Sequence, residues 1–200
     1  MYAPRAKFER VYVVSPIKVA VVFFVILHAL AIFITLLTSF WIETRVGHYG
    51  PLYRCEKYLI QEKLHRYVFL TIQCHLGGFL YDFQLFTIPL TAILLIISIL
   101  LSIVSVLTAN FSFMKSTSTI RYRYWLSTTL LLLIICLIDC FVVVFLPLSY
   151  QREDFVLQWA YGLHCGATLF ISVSLITAIL SHHIDDVQYI ERIEESPSNG

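Results

Sequence analysis

Asp139 is the one acidic side chain deep inside an apolar stretch of this chain, and His28 and His164 also fall in apolar stretches. An ionisable group surrounded by hydrocarbon is costly enough to need a partner or a role. Counting about 1.5 Å of rise per helical residue puts Asp139 and His164 at nearly the same level, with His28 about 6–8 Å nearer the end that holds the chain termini. A buried Asp–His hydrogen bond is the simplest account, with His164 as the partner. A proton relay or ion pathway would need a ladder of polar groups above and below the carboxylate, and none is legible. His182-His183-Ile184-Asp185-Asp186 offers atoms of the kind that bind metals, but no second His or Cys cluster completes a site. Polar residues must follow an apolar stretch in any case. No phosphate loop, dinucleotide fingerprint or nucleophile arrangement occurs elsewhere. The expectation is a protein without catalysis, metal or cofactor.

The elements that must position these groups are set by composition. With 58% hydrophobic and 14% charged residues and a mean hydropathy of +0.79, the chain lies outside the range of soluble globules. Stretches 17–40, 83–107, 124–146 and 157–180 are each long enough to cross a hydrocarbon core about 30 Å thick, which takes about 20 helical residues. The first is too long for the apolar region of a cleaved signal peptide and reads as a retained anchor. Four continuously apolar spans do not make a closed barrel, so each must be a helix that satisfies its own backbone. The expected fold is an all-α membrane bundle of four helices. The formal net charge of +1 is scattered along the chain, which leaves nucleic-acid binding without an electrostatic footprint.

Arg5, Lys7, Arg10 and Lys18 precede or open the first span, and Lys115, Arg121 and Arg123 lie between the second and third. These segments read as cytoplasmic. With Arg192 they outnumber the basic residues of the opposite side eight to six. The layout is then a cytoplasmic N-terminus 1–16, an outer loop 41–82, a cytoplasmic loop 108–123, a short outer loop 147–156 and a cytoplasmic tail 181–200. Asn110-Phe111-Ser112 is a glycosylation sequon that this orientation leaves unmodified.

Cys55 and Cys74 share the loop 41–82, in the oxidising compartment, where either a disulfide or two free thiols is chemically reasonable. Cys136, Cys140 and Cys165 lie within spans and read as small packing residues. The loop mixes charges of both signs with glycines and aromatics, and the β-branched and aromatic stretch Tyr67–Cys74 suits a small sheet. A loop of this length is folded and functional rather than a passive connector.

Trp41, followed by Gly50-Pro51-Leu52-Tyr53-Arg54-Cys55 and then Cys74, resembles the first-loop signature of the claudin, peripheral myelin protein and calcium-channel gamma-subunit superfamily. In that family a Trp follows the first span and a Gly-Leu-Trp run leads to the first of two cysteines. Here Pro51 shifts the Leu-aromatic pair by one position and Tyr53 replaces Trp. Tyr81-Asp82-Phe83-Gln84-Leu85-Phe86-Thr87-Ile88-Pro89 is similar to the family's lead into the second span, with one residue added, and Trp159-Ala160-Tyr161-Gly162 opens the fourth span as relatives do. Nematode Clc-like proteins are a possible closer group. The resemblance implies a left-handed four-helix bundle. It also implies a disulfide-stapled extracellular β-sheet, built mostly from the first loop and completed by the loop before the fourth span. Trp41 serves such a protein either as an interfacial belt residue or in a small loop core.

Ser98, Ser102, Ser105 and Ala109 form a small-residue stripe on the second span, and Gly162 and Gly166 form a Gly-x-x-x-Gly pair on the fourth. Both suit close helix approach, read here as packing within the bundle in preference to a face for a partner helix. The tail ends Ser196-Pro197-Ser198-Asn199-Gly200, without the Tyr-Val ending that docks PDZ scaffolds in many claudins, so no such scaffold is expected. The functional expectation is a plasma-membrane protein, set among lipid, that self-associates through its first loop at cell contacts. The alternative is an auxiliary subunit of a channel or receptor. Tyr49, Tyr53, Arg54 and Tyr58 are the expected association surface, because Tyr and Arg dominate interfaces.

Overall fold

The computed structural model describes residues 6–12, 15–45, 47–61, 68–76, 87–115, 117–149, 155–183 and 187–193. Among them four helices are long and apolar enough to cross a membrane: α1 (Pro16–Leu37), α2 (Thr87–Met114), α3 (Ser118–Ser149) and α4 (Trp159–Leu180). The 22 residues of α1 rise about 33 Å, a full crossing of the hydrocarbon core. Each helix packs on two neighbours in the cyclic order α1–α2–α3–α4, most extensively in the α2–α3 and α1–α4 pairs. Large apolar side chains such as Leu30, Phe33, Leu100, Leu137 and Leu169 point outward. That arrangement is ruinous in water and neutral in lipid, and it marks a multi-pass membrane protein.

The segment 108–123, read as the connection between the second and third spans, is largely helical. Helix α2 runs on to Met114 and α3 starts at Ser118, so the connection shrinks to a few residues. Hydropathy falls where a helix leaves the hydrocarbon, but backbone hydrogen bonding does not stop there. The two extensions are tied by Thr108 Oγ1 against Thr128 Oγ1 at 3.0 Å and by the Ser112 hydroxyl donating to the Arg121 carbonyl at 3.1 Å. The Asn110 sequon therefore sits within a helix rather than in a loop. Pro89 is the third residue of α2, in the first turn, where its missing N–H would have had no partner.

At the opposite end of the bundle lies a five-stranded antiparallel sheet, in the order β5-β4-β3-β2-β6. Its strands are β2 (Ile42–Glu43), β3 (Gly47–Tyr49), β4 (Tyr53–Gln61), β5 (Val68–Leu76) and β6 (Val156–Leu157); β1 (Ala6–Tyr12) and β7 (Val187–Ile193) lie elsewhere. Strand β6 comes from the short loop before α4 and pairs with β2, so both loops build one sheet. Cys55 and Cys74 stand directly opposite each other in the β4–β5 ladder and are joined by a disulfide. Residues 77–86, including Tyr81 and Asp82, lie outside the described residues.

Gly50 explains how closely the sheet seats on the bundle. A Cβ at this position would collide with the carbonyl oxygen of Thr38, where α1 ends. Only a residue without a side chain lets the two backbones meet there.

Chain ends 6–12 and 187–193 form a second sheet, the antiparallel pair β1 (Ala6–Tyr12) and β7 (Val187–Ile193), in register from Ala6 opposite Ile193 to Tyr12 opposite Val187. The segment 181–200, read as a cytoplasmic tail, thus contains a strand. The last residues, 194–200, lie outside the described residues.

Pro147 lies inside α3 and has no N–H to give to the carbonyl of Val143, four residues earlier. The Tyr161 hydroxyl of α4 donates to that carbonyl at 2.8 Å. One helix repairs the hydrogen bond that proline removes from its neighbour.

Two substitutions test these joints. Gly50→Ala is expected to destabilise the protein by about 1–3 kcal/mol or more, because the obstructing atom is backbone that cannot rotate away. Tyr161→Phe is expected to cost about 1 kcal/mol by returning the Val143 carbonyl to an unpaired state. Thermal unfolding of purified variants in detergent measures both.

Candidate functional site

Asp139 is 0% exposed on α3 and joins three helices. The His28 imidazole of α1 meets Asp139 through Nε2, 2.6 Å from Oδ2. Ser98 of α2 donates its hydroxyl to Oδ1 at 2.9 Å. Ser102, one turn further along α2, lies 3.3 Å from the His28 Nδ1 and gives its own proton to the Ser98 carbonyl at 2.8 Å. These four side chains form one connected network, and each is buried.

The network fixes a proton inventory. Ser102 has a single proton and gives it to the Ser98 carbonyl, the shorter of its two contacts, so its oxygen accepts from His28 and Nδ1 carries a hydrogen. The Nε2–Oδ2 contact then holds one more proton, on nitrogen as an imidazolium–carboxylate pair or on oxygen as a neutral imidazole with a carboxylic acid. In either form the pair has no net charge, the condition under which ionisable groups are tolerated in hydrocarbon.

The partner is therefore His28, which corrects the expectation of His164. Depth counted from hydropathy boundaries assumed that the spans begin in one plane; His28 lies 12 residues after the first residue of α1 (28 − 16) and Asp139 21 after that of α3 (139 − 118), so their contact requires that the two helices be staggered. The same geometry corrects the absence of a polar ladder, since Ser98 and Ser102 extend the carboxylate's hydrogen bonding across α2.

His164 is 0% exposed, and neither ring nitrogen has a hydrogen-bond partner. Its ring lies 5.3 Å from the Trp41 ring, centroid to centroid, at a tilt of 34°. Trp41 is 2% exposed and donates its indole N–H to the Thr35 carbonyl at 2.6 Å, while Tyr161 meets it edge-on. Of the two roles open to Trp41, the loop core is the one it takes. It is the plug between sheet and bundle, with Ile42, Tyr49, Ile88 and Leu146 in the same cluster. The indole N–H joins the Thr38 N–H, at 3.4 Å, and the Thr38 hydroxyl, at 3.3 Å, on this carbonyl in the last turn of α1.

The small residues divide. Ser98, Ser102 and Ser105 are buried between helices, as packing requires. Gly162 and Gly166 are not: a Cβ added at either would meet nothing within 4 Å. Their reading as intrachain packing residues is corrected. The seam of α4 runs through Ala160, His164, Ala167, Ile171, Ser174 and Ala178, and the glycines lie off it.

In the loop, Tyr49 is 8% exposed and belongs to the Trp41 cluster, so it is not presented for association as expected. Arg54 lies over the Tyr49 ring at 5.1 Å and pairs with Glu56 at 2.6 Å. Tyr53 and Leu52 are half-buried, and Tyr58 is placed on β4 by its backbone alone. At the other end, His182 Nε2 lies 3.2 Å from Thr129 Oγ1 and its ring meets Tyr122 edge-on, an assignment to packing. Asp185 and Asp186 lie outside the described residues.

No protein-family model matches the chain, and no curated protein is significantly similar to it.

Sequence reasoning missed the hydrogen-bonding role of Ser98 and Ser102, having treated them as spacers. The usable signal was hydroxyl side chains four residues apart on one span, beside a neighbour that carries a carboxylate.

Asp139→Ala is expected to destabilise the bundle more than Asp139→Asn, because alanine strands His28 and Ser98 while the amide still bonds them. A double-mutant cycle distinguishes the partners: His28 and Asp139 should couple by about 0.5–3 kcal/mol, and His164 and Asp139 by less. Thermal unfolding in detergent provides the four stabilities in each cycle.

Proposed function

We propose that this chain is a claudin-type four-span protein of the plasma membrane, with both termini cytoplasmic and the sheet outside the cell. It acts in cell–cell contact, junction organisation or paracellular barrier formation by self-association through the first loop. The observation that carries this reading is the sheet itself: Trp41 plugs it onto the bundle, Cys55–Cys74 staples it, and the strand before α4 completes it, as the resemblance implies. Leu36 and Thr168 aside, the buried positions of α1 and α4 recur at alternating intervals of three and four residues, the 3.5-residue period of left-handed helix packing. In this reading the chain performs no catalysis and needs no cofactor.

The association surface is narrower than the sequence alone indicates. With Tyr49 buried, Tyr53, Arg54 and Tyr58 remain, joined by the exposed apolar side chains Ile72 and Leu76 of β5. Apolar groups exposed on an element outside the bilayer lack the lipid that excuses them on the helices.

An auxiliary role beside a channel or receptor is favoured by a different observation, the open Gly162–Gly166 face of α4, where a partner helix could approach closely.

The test is affinity purification of the full chain from native membranes followed by mass spectrometry and cross-linking. Tyr53→Ala with Ile72→Ser and Leu76→Ser is expected to weaken self-association about tenfold while leaving membrane insertion intact. Truncation after Ile193 is expected to change neither. Loss of association on truncation, with the loop variant unaffected, overturns the loop mechanism. Co-purification of channel subunits that depends on Gly162 and Gly166 favours the auxiliary role.

A further inference from the structure

Strand β5 ends the order of the sheet, so among the described residues one side of its backbone pairs with β4 and the other with nothing. An open edge is ordinarily kept from pairing by charge, by proline or by shortness. The opposite edge, β6, is only two residues long. Strand β5 runs for nine residues, Val-Phe-Leu-Thr-Ile-Gln-Cys-His-Leu, without a Lys, Arg, Asp, Glu or Pro. It has none of the three safeguards. Residues 72–76 are all exposed, Ile72 by 52% and Leu76 by 70%.

The cysteine pair fixes which backbone groups of β5 point outward. Cys55 and Cys74 are cross-strand partners with Cα atoms 4.0 Å apart, the close spacing of a pair that exchanges no hydrogen bonds, about 4.5 Å against about 5.5 Å for a bonded one. The N–H and C=O of Cys74 therefore face away from β4. The β4–β5 ladder is uninterrupted and the two kinds of pair alternate along it, so the groups of Val68, Leu70, Ile72 and Leu76 face outward as well. Ile72 is the midpoint of the strand. A second β5, turned antiparallel about Ile72, sets outward residue against outward residue along the whole edge: Ile72 on Ile72, Leu70 on Cys74 and Val68 on Leu76. Each such pair exchanges two hydrogen bonds, about ten in all. Turned about any other residue, the strand leaves part of its edge open. Between these pairs Phe69 meets His75 and Thr71 meets Gln73, so apolar positions oppose apolar ones, ring opposes ring, hydroxyl opposes amide and no like charges face each other. We propose that β5 is a strand-addition surface whose partner is β5 of a second copy of this chain, joining two five-stranded sheets into one. The inference rests on the reading that the first loop self-associates, and it supplies the mode.

Register is the property to test. Two differently tagged forms of the full chain, one with Thr71→Cys and the other with Gln73→Cys, are co-expressed and oxidised, and the cross-linked peptides are mapped. In the proposed pairing these positions face each other at the close spacing that suits a disulfide. The mixed dimer is expected to exceed either same-variant dimer by about tenfold. Ile72→Pro removes an outward N–H from each copy on the side where an edge strand tolerates proline. It is expected to weaken association about tenfold while thermal unfolding in detergent is unchanged. If Ile72→Pro fails to fold, the mixed cross-link still decides. Equal yields of mixed and same-variant dimers overturn the proposal, as does a peptide of another protein mapped onto β5 in place of a second copy. Association that survives Ile72→Pro but is lost with the side-chain changes at Tyr53, Ile72 and Leu76 overturns strand addition and leaves the first loop as the association surface. A chain that stays monomeric without any substitution overturns both readings.

Discussion

Hydrocarbon offers no hydrogen bonds, and the architecture of this bundle follows from how each polar group inside it is answered by another. Asp139 is the most demanding of them. Its two oxygens reach α1 through His28 and α2 through Ser98, so the third helix cannot settle without drawing in the first and second. The same rule operates on backbone: Pro147 frees the Val143 carbonyl of α3, and Tyr161 brings α4 to it. Three polar contacts thus specify neighbours that apolar surfaces, equally content against lipid or protein, would leave undetermined.

Where the bundle meets water, a different device takes over. Trp41 sits below the sheet and above the helix ends, with its N–H on the Thr35 carbonyl and its ring against His164 and Tyr161. Gly50 lets the sheet backbone press on the end of α1. The staple at Cys55–Cys74 joins β4 to β5, and the Cys55 sulfur lies 3.4 Å from the Ser39 hydroxyl just past the end of α1. Seat and staple therefore meet at the same helix end.

Much of this was legible in the residues. Span number and helical state followed from apolar length, because the bilayer permits so few alternatives. The strand around Cys74 followed from β-propensity, and the pairing of the loop cysteines, one of two outcomes their shared loop allowed, from the resemblance. What was not legible depended on rotation and stagger. Whether Gly162 faces a neighbour or lipid, and whether Asp139 meets His28 or His164, turns on where each helix starts relative to the others. Hydropathy locates a span in the membrane but not a helix against its neighbour. Tyr49 was misassigned to the surface for a related reason: an aromatic residue suits an interface and a small core equally well.

The pairing of β1 with β7 has a consequence for the order of assembly. Residues 6–12 are made before the four spans and their partners 187–193 after them. Synthesis proceeds from the N-terminus at a limited rate, so β1 must wait, unpaired, through the insertion of all four spans. Its closure with β7 is the longest-range strand pairing among the described residues and the one with the greatest loop to close. The terminal ribbon is therefore a late event in the life of the molecule, completed only in chains translated through residue 193. A chain that stops short still has its spans and its sheet, but its first strand has no second strand to meet.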